Sequence, residues 1–344
     1  MRTEKKKTLD RKASIYYNIV SEFFNFEENF MYRIGVDLGG TNIAVGIVNE
    51  NLELVKKMSV PTGATRPGEE IVADIAALCK NVCAELGCTL ADIESIGIAT
   101  PGIANHDTGV VEYANNLPFH KFPIAELLKS NLDADVAVKI ENDANAAAWG
   151  EACAGAAKGT KNSIMITLGT GVGGGIVIDN KVFSGFNYAG GELGHIVIEV
   201  DGAQCSCGRK GCWEAYSSAT ALIRMTNEKI AECREQGRAT VMADAAKVSG
   251  RTACDAMRAG DAAAKEVYDK YIKYLASGLA TIINIFQPEV ISLGGGISGE
   301  GQSLIDSLLP IVRSEQYGGG VVPLTEIRIA KLGNDAGIIG AALL

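Results

Sequence analysis

The sequence of 344 residues lacks a long uninterrupted hydrophobic run. Its longest stretches without charge, at 162–178 and 274–288, are broken by Gly, Ser, Thr, Asn and Gln, so neither is predicted to cross a membrane. The polar start at 1–7 is not followed by the apolar segment that a secretory signal needs. We therefore expect a cytoplasmic protein.

Positive charge and aromatic residues are also scarce. Lysine and arginine total 32 against 41 acidic residues, the net charge is -9, and aromatic residues make up 6%. This balance argues against a broad surface for nucleic acid or anionic membranes. An apolar content of 47% with 40 glycines is globular and excludes disordered, collagen-like and coiled-coil proteins. At this length two domains are expected.

Nine cysteines do not indicate a disulfide framework, because the number is odd and the chain is large. Three of them form, with one histidine, the set His195, Cys205, Cys207 and Cys212. Three thiolates and an imidazole are typical of tetrahedral structural zinc, and Gly208 and Gly211 give the loop backbone freedom. Buried thiols are the alternative for a Cys-x-Cys pair. The remaining cysteines are expected to be small buried residues: Cys79, Cys83, Cys88, Cys153, Cys233 and Cys254.

Residues 1–30 are basic, then aromatic and acidic, and they precede the sharply patterned sequence after Met31. The segment is too short, and has too few glycine-marked turns, for a DNA-reading helix-turn-helix. We expect a dispensable extension, or the product of an upstream start codon assigned in error.

Two glycine turns lie about 130 residues apart between runs rich in Ile and Val, at 34–48 and 164–178. Both patterns predict a strand-turn-strand hairpin, and their similarity suggests two halves of related architecture. Apolar spacings of three and four predict helices at 69–86 and 267–286. Further strands are predicted at 96–99, 136–140, 290–293 and 327–330, which gives an α/β fold.

The turn at 169–174 matches the G-x-G-x-x-G pattern of dinucleotide-binding domains, but no helix follows it, so we reject that interpretation. Instead the two hairpins are expected to face each other and bind phosphates through backbone N–H groups and threonine hydroxyls, with Asp37 holding Mg²⁺. A single glycine turn is more often an ordinary hairpin. A third glycine triplet at 294–296, able to admit an adenine ring, favours the nucleotide site. Its candidate residues are Asp37, Gly39, Gly40, Thr41, Asn42, Thr170, Gly171, Gly295 and Gly296.

Five motifs, in order, resemble the ROK family (repressors, open reading frames, sugar kinases), and among its members the bacterial glucokinases. They are DLGGTN at 37–42, ENDANAA at 141–147, LGTGVGGG at 168–175, ELGH at 192–195 and CSCGRKGCWE at 205–214. The resemblance covers about residues 32–344. It implies an actin-like, hexokinase-like fold, in which two ribonuclease H-like α/β lobes close on ATP and sugar. It also implies that the protein forms dimers or tetramers. The expected lobes are 31–147 plus about 333–344, and 148–332 with the zinc-binding loop 195–212.

The ENDANAA motif lies between a predicted strand and helix, where α/β proteins place ligands. Asn142 or Asp143 could simply cap that helix. With the other motifs present, we favour Asp143 as the base that accepts the sugar proton and Asn142 as the residue that orients the ring. The helix N-terminus is expected to favour the anionic form of Asp143. The resemblance adds Glu192, His195, Glu214 and Gly102 as sugar-binding candidates.

The predicted function is an ATP-dependent glucokinase with Mg²⁺ and a structural Zn²⁺. N-Acetylmannosamine kinase, fructokinase, allose kinase and polyphosphate-using glucokinase are alternatives. A sugar-responsive repressor would need a winged helix-turn-helix of several tens of residues ahead of the first turn. The intact DLGGT motif and Asp143 favour an enzyme.

Overall fold

The computed structural model describes residues 32–344, so the predicted extension at 1–30 lies outside the described residues. Its first sheet has the order β3-β2-β1-β4-β8, and a small sheet of β5, β6 and β7 lies beside it. These strands are β1 (Tyr32–Leu38), β2 (Asn42–Val48), β3 (Leu54–Pro61), β4 (Ile93–Thr100), β5 (Ile103–Asn105), β6 (Val110–Tyr113), β7 (His120–Phe122) and β8 (Ala137–Asn142).

The second large sheet repeats the topology of the first. Its strands are β9 (Ser163–Leu168), β10 (Val172–Ile178), β11 (Lys181–Val182), β12 (Val290–Gly294) and β13 (Glu326–Ile329), in the order β11-β10-β9-β12-β13. In each sheet an antiparallel three-stranded meander continues into two parallel strands. The two halves of related architecture predicted from the glycine hairpins are therefore confirmed.

Helices cover both large sheets. They are α1 (Gly68–Leu86), α2 (Ile124–Leu132), α3 (Asp143–Cys153), α4 (Glu214–Ser217), α5 (Ala219–Glu235), α6 (Thr252–Arg258), α7 (Ala262–Phe286), α8 (Gln302–Glu315) and α9 (Ala336–Ala342). The predicted spacing in α1 buries Ile71, Ile75 and Val82 on one face, as an amphipathic helix requires. None of the helices in residues 32–344 combines the length and hydrophobicity needed to span a bilayer.

Each large sheet has its own hydrophobic core, which makes the molecule two-lobed. One core packs β1, β2 and β4 against α1 and α2. The other packs β9, β10 and β12 against α5, α7 and α8. Because the cores are separate, the groups contributed by each lobe meet only at the surface between them.

The helices α3 and α9 connect the lobes, and we call their contact the interlobe crossing. Helix α9 packs on β1 and β4, whereas α3 packs on β9 and β10. Where the helices meet, a Cβ at Gly340 would overlap the carbonyl group of Ala146, and a Cβ at Gly150 would lie 2.5 Å from the carbonyl oxygen of Ala336. The two backbones are therefore in direct contact, which glycine alone permits.

Candidate active site

Two adjoining clefts of about 990 and 640 Å³ lie where the lobes meet. We call them the larger and the smaller cleft. Both are lined by Asp143, Thr167, Gly173 and Gly295. Asp143 is the first residue of α3, so it lies at the end of the helix that packs against the second sheet. Its carboxyl group is thereby shared by the two cavities.

The larger cleft contains most of the residues predicted to bind sugar. Glu192, His195 and Glu214 line it, together with Thr170 and Gly171 of the second hairpin turn. Glu192, His195 and Glu214 follow β11, whereas Thr170 and Gly171 lie in the turn between β9 and β10. The two groups line one cleft because the chain after β11 folds back onto that turn.

The smaller cleft contains nucleotide candidates from both lobes. Asp37, near the end of β1, lies opposite Gly295 and Gly296, which follow β12. Gly295 has a φ of 82°, and a Cβ there would lie 2.6 Å from the backbone of Leu168. Only glycine fits this turn, so the chain can bend sharply at the cleft wall.

The first hairpin turn lies outside the lining of both clefts. Gly39 N–H donates to the Asn42 carbonyl group at 2.9 Å, and the Thr62 hydroxyl group donates to the Gly39 carbonyl group at 2.6 Å. A Cβ on Gly40 would lie 2.9 Å from Nδ2 of Asn116, a residue of the larger cleft. The turn containing Gly39, Gly40, Thr41 and Asn42 is therefore fixed next to the cleft that Asn116 lines.

Asn142 is the N-cap of α3. Its Oδ1 accepts hydrogen bonds from the N–H groups of Ala144 at 2.9 Å and Asn145 at 3.2 Å. Its Nδ2 donates to the carbonyl group of Gly102 at 3.0 Å, and neither Asn142 nor Gly102 lines a cleft. Asn142 therefore caps the helix, as the alternative interpretation of the motif proposed. The strand predicted to end at residue 140 continues to Asn142 in β8.

The electrostatics of Asp143 differ from the expectation. The helix N-terminus was expected to favour the anion, and the Ala144 N–H does donate to Asp143 at 2.8 Å. Burial is the larger effect, however, and it raises the pKa of Asp143, with a smaller contribution from the charge of Glu192. The expectation was therefore wrong in direction, because removal from water outweighs the helix end.

Burial raises the pKa of Asp37 as well, and this pKa is raised by a larger amount than that of Asp143. Burial, followed by the negative charge of Asp143, raises the pKa of Asp37 to about 6, and Lys57 opposes this shift. Two neighbouring buried carboxylates disfavour each other's charge unless a cation lies between or beside them. Hard carboxylate oxygens are ligands suited to Mg²⁺, so the residues present fit a divalent cation held near Asp37.

The predicted zinc ligands converge at one point. The ligand atoms of His195, Cys205, Cys207 and Cys212 all lie within 4.8 Å of one another. The Cys207 and Cys212 sulfurs are 3.7 Å apart, and so are the Cys205 sulfur and Nδ1 of His195. Zinc–sulfur bonds of about 2.3 Å at tetrahedral angles place sulfurs about 3.8 Å apart. The cluster therefore has the size of a zinc site.

The other cysteines are separate from this cluster. Cys79, Cys83, Cys233 and Cys254 are buried, as predicted, whereas Cys88 and Cys153 are partly exposed. Burial raises the pKa of Cys254 to about 11. The Cys254 thiol therefore stays protonated and acts as a small apolar residue.

Glu214 connects the cysteine cluster to the second hairpin. Its Oε2 accepts from the N–H group of Val172 at 3.0 Å, and its Oε1 accepts from the Ser206 hydroxyl group at 3.0 Å. The Cys205 thiol is 3.5 Å from the same Oε1. Trp213, fully buried, anchors the segment by donating from Nε1 to the carbonyl group of Tyr274 at 3.1 Å. Glu214 therefore links the cysteine loop to the turn between β9 and β10.

Sequence analysis missed several cleft residues. Asn115 and Asn116 line the larger cleft from the loop after β6, and Arg224 lines it from α5. The Asn-Asn pair is a turn signal directly after a strand, which could have indicated a loop but not its position. Arg224 lies on an amphipathic helix, where a charged residue ordinarily indicates a solvent-exposed face.

The sequence is similar to one family model and to several sugar kinases along most of its length. The model of the ROK family matches residues 33–344. The glucokinase of Streptomyces coelicolor is 37% identical over 312 residues, which cover 90% of this chain and 96% of that protein. An N-acetyl-D-glucosamine kinase of Aliivibrio salmonicida is 34% identical over 322 residues, covering 90% and 98%.

A solved structure extends the likeness to three dimensions. The ROK family glucokinase from Streptomyces griseus, in complex with glucose and AMPPNP, superimposes with a TM-score of 0.72 and 35% identity, covering 90% of this chain and 98% of that one. The predicted two-lobed α/β kinase fold is thus confirmed, and the chain is a phosphotransferase. Because the family model and these relatives each span about nine-tenths of its length, the chain belongs to the ROK family.

Proposed function

We propose that this sugar kinase transfers the terminal phosphoryl group of ATP to the 6-hydroxyl group of D-glucose, with Asp143 as the general base. The observation that carries the proposal is that Asp143 lines both clefts. A base between an acceptor cavity and a nucleotide cavity is where in-line transfer requires it. The named activity of the relative at 37% identity supports glucose as the acceptor.

The larger cleft is the proposed hexose site. Glu192 and Glu214 supply carboxylate acceptors, and Asn115 and Asn116 supply amides, so several hydroxyl groups of one pyranose can be bound together. Nδ1 of His195 faces the Cys205 sulfur, which leaves Nε2 for a sugar hydroxyl group. We propose that Asn142 acts indirectly, by fixing the first turn of α3 and the Gly102 segment.

The smaller cleft is the proposed nucleotide site. We propose that the phosphates extend from this cleft towards the larger one, which Thr170 lines, and that backbone N–H groups of the turns after β1 and β9, with the hydroxyl groups of Thr41 and Thr170, bind them there. Gly295 and Gly296 leave room beside the cleft wall for the adenine ring. Asp37 would hold Mg²⁺ directly or through water, and the ion would supply positive charge to offset that of the phosphates.

In this mechanism Asp143 accepts the proton of the attacking hydroxyl group as the new oxygen–phosphorus bond forms. The reaction has a loose transition state, so positioning contributes most of the acceleration and the base about 10²- to 10⁴-fold. Burial of Asp143 assists proton transfer, because a carboxylate whose pKa is raised is a stronger base than one with the ordinary pKa. Closure of the lobes around both substrates would exclude water that could otherwise accept the phosphoryl group.

We propose that the cysteine cluster holds a structural Zn²⁺. All four ligands come from the protein, so the ion would organise the loop 195–212 rather than activate water. The support is the contact of Cys205 and Ser206 with Glu214, which joins the cluster to a carboxylate of the proposed hexose site.

The first prediction concerns specificity. In the complex, loss or misdirection of one sugar hydroxyl group leaves unpaired an acceptor that the bound sugar shields from water, which costs about 1 to 3 kcal/mol, or roughly 5- to 150-fold in kcat/KM. We expect kcat/KM for glucose to exceed those for mannose and fructose at least about tenfold. Glu192→Gln should reduce this preference, whereas Glu235→Gln, an exposed residue outside both clefts, should not.

A coupled ADP-release assay tests this prediction across glucose, mannose, fructose, allose, N-acetylmannosamine and N-acetylglucosamine. The last sugar is included because one relative, at 34% identity, is an N-acetyl-D-glucosamine kinase. If any amino sugar or fructose gives the highest kcat/KM, the glucose assignment is wrong and the hexose kinase assignment stands. Replacing ATP by polyphosphate in the same assay identifies the phosphate donor.

A further inference from the structure

The segment between β11 and Glu192 forms a short closed loop, residues 184–190. Gly190 N–H donates to the carbonyl group of Ser184 at 2.8 Å, which closes the loop at its base. Tyr188 within it has a φ of 62°, a left-handed conformation that is uncommon outside glycine and asparagine. A tyrosine kept in this conformation points to contacts that hold its side chain in place.

Those contacts reach the other lobe. The Tyr188 hydroxyl group donates to Oδ2 of Asp107 at 2.6 Å, and the tyrosine ring lies edge-on to His106, with ring centroids 4.9 Å apart. Asp107 and His106 belong to the connection between β5 and β6, beside the first sheet. The hydrogen bond raises the pKa of Tyr188, so its hydroxyl group keeps the proton that it donates.

From His106 the contacts continue inward to the start of α3. Nδ1 of His106 is 3.1 Å from Oε2 of Glu141, a side chain that is 3% exposed. The other oxygen of Glu141 accepts from Asn142 N–H at 2.9 Å and from Nδ2 of Asn145 at 3.1 Å. The buried carboxylate therefore fixes the residues on either side of Asp143.

A second, independent observation returns to the same loop. Oδ1 of Asn145 is buried and has no hydrogen-bond partner within residues 32–344. A Cβ placed on Gly191 would lie 3.7 Å from this oxygen, so the free acceptor faces the backbone directly before Glu192. A buried acceptor without a donor is costly, and this one lies beside Gly191, the residue directly after the closed loop.

We propose that Tyr188, Asp107 and His106 form an interlobe clasp that positions Glu192 relative to Asp143 and so determines affinity for the hexose. The clasp contacts the loop four residues before Glu192 and, through Glu141, the chain two residues before Asp143. None of its members lines the smaller cleft. This inference rests on the proposed hexose site, and it assigns positioning residues rather than catalytic ones.

Tyr188→Phe tests the clasp, because it removes one hydroxyl group and keeps the ring beside His106. We expect the KM for glucose to rise about 3- to 10-fold, with kcat and the KM for ATP unchanged within about twofold, as loss of one hydrogen bond to a carboxylate implies. Asp107→Ala, which removes the acceptor, should have a similar effect, and the double variant should be no worse than either single one. The matched control is Tyr268→Phe, which removes a hydrogen bond to Ser307 inside the second lobe.

Hydrogen exchange of the ligand-free protein supplies a readout that does not depend on substrate. The amides of residues 184–192 should exchange faster in Tyr188→Phe than in the parent chain or in Tyr268→Phe. Unchanged exchange, an unchanged KM for glucose, or an equal rise in the KM for ATP would each overturn the clasp. If no hexose is phosphorylated, the proposed function fails, and the exchange experiment still decides whether the clasp restrains the loop.

Discussion

Asp143→Asn is expected to lower kcat by about 10²-fold or more while the KM for glucose stays close to that of the parent enzyme. Asparagine keeps the size and one oxygen of the side chain but cannot accept the sugar proton. The substitution should leave α3 intact, since Asn142 rather than Asp143 caps this helix. Steady-state kinetics with saturating ATP measures the effect.

The pH profile provides a second readout for the same variant. The proposed base must be ionised to accept a proton, so the activity of the parent enzyme should fall as the pH drops through the pKa of Asp143, which burial raises above the ordinary value of 3.8. The residual activity of the asparagine variant should lack this dependence. The control is Asp135→Asn, which makes the same substitution at an exposed position before β8 and should leave kcat and the pH profile unchanged. A kcat near that of the parent enzyme would remove Asp143 from the mechanism.

Cys207→Ala is expected to cause the second large loss. The parent chain should contain one zinc ion by elemental analysis, and the variant should lose it, because structural zinc sites have four protein ligands and the variant keeps only three. Structural zinc contributes on the order of 10 kcal/mol to the folding of small sites, so its loss should disorder the loop 195–212. Glu214 and the β9–β10 turn would then lose their support, weakening glucose binding as well as turnover.

The matched control for the zinc prediction is Cys88→Ala, which removes a partly exposed thiol outside the cluster. Calorimetric titration with glucose, before and after chelation of the parent protein, separates binding from turnover. Normal glucose binding by the metal-free protein would show that the cysteine cluster and the hexose site are independent.

The local patterns of the sequence were sufficient to predict the elements that carry the chemistry. Strand-turn-strand signals around Gly39 and Gly171 identified both hairpins, because turn chemistry and alternating strands act over a few residues. The spacing of His195 and three cysteines identified a cluster whose atoms do converge. These features depend on neighbours in the sequence, so the sequence alone reveals them.

Features that depend on contacts between distant segments could not be predicted in this way. Asn115 and Asn116 join the larger cleft only because the β6–β7 loop folds towards the second lobe. Burial, which raises the pKa of Asp143, depends on the tertiary fold, since residues distant in the sequence line the clefts around this group, whereas the helix-end effect that misled the prediction is local. The pairing of Tyr188 with Asp107, separated by 81 residues, has no local signature either.

The interlobe crossing has a consequence for tolerance to mutation. A substitution in either hydrophobic core perturbs the packing of that lobe first, because the two cores do not share residues. A methyl group at Gly340 cannot be absorbed, since the Ala146 carbonyl group occupies its place, and α3 would have to move away from α9. Asp143 begins α3, while Asp37 belongs to a strand on which α9 packs. One added carbon atom, outside the lining of both clefts, would thus alter the separation of the two carboxyl groups that line the smaller cleft.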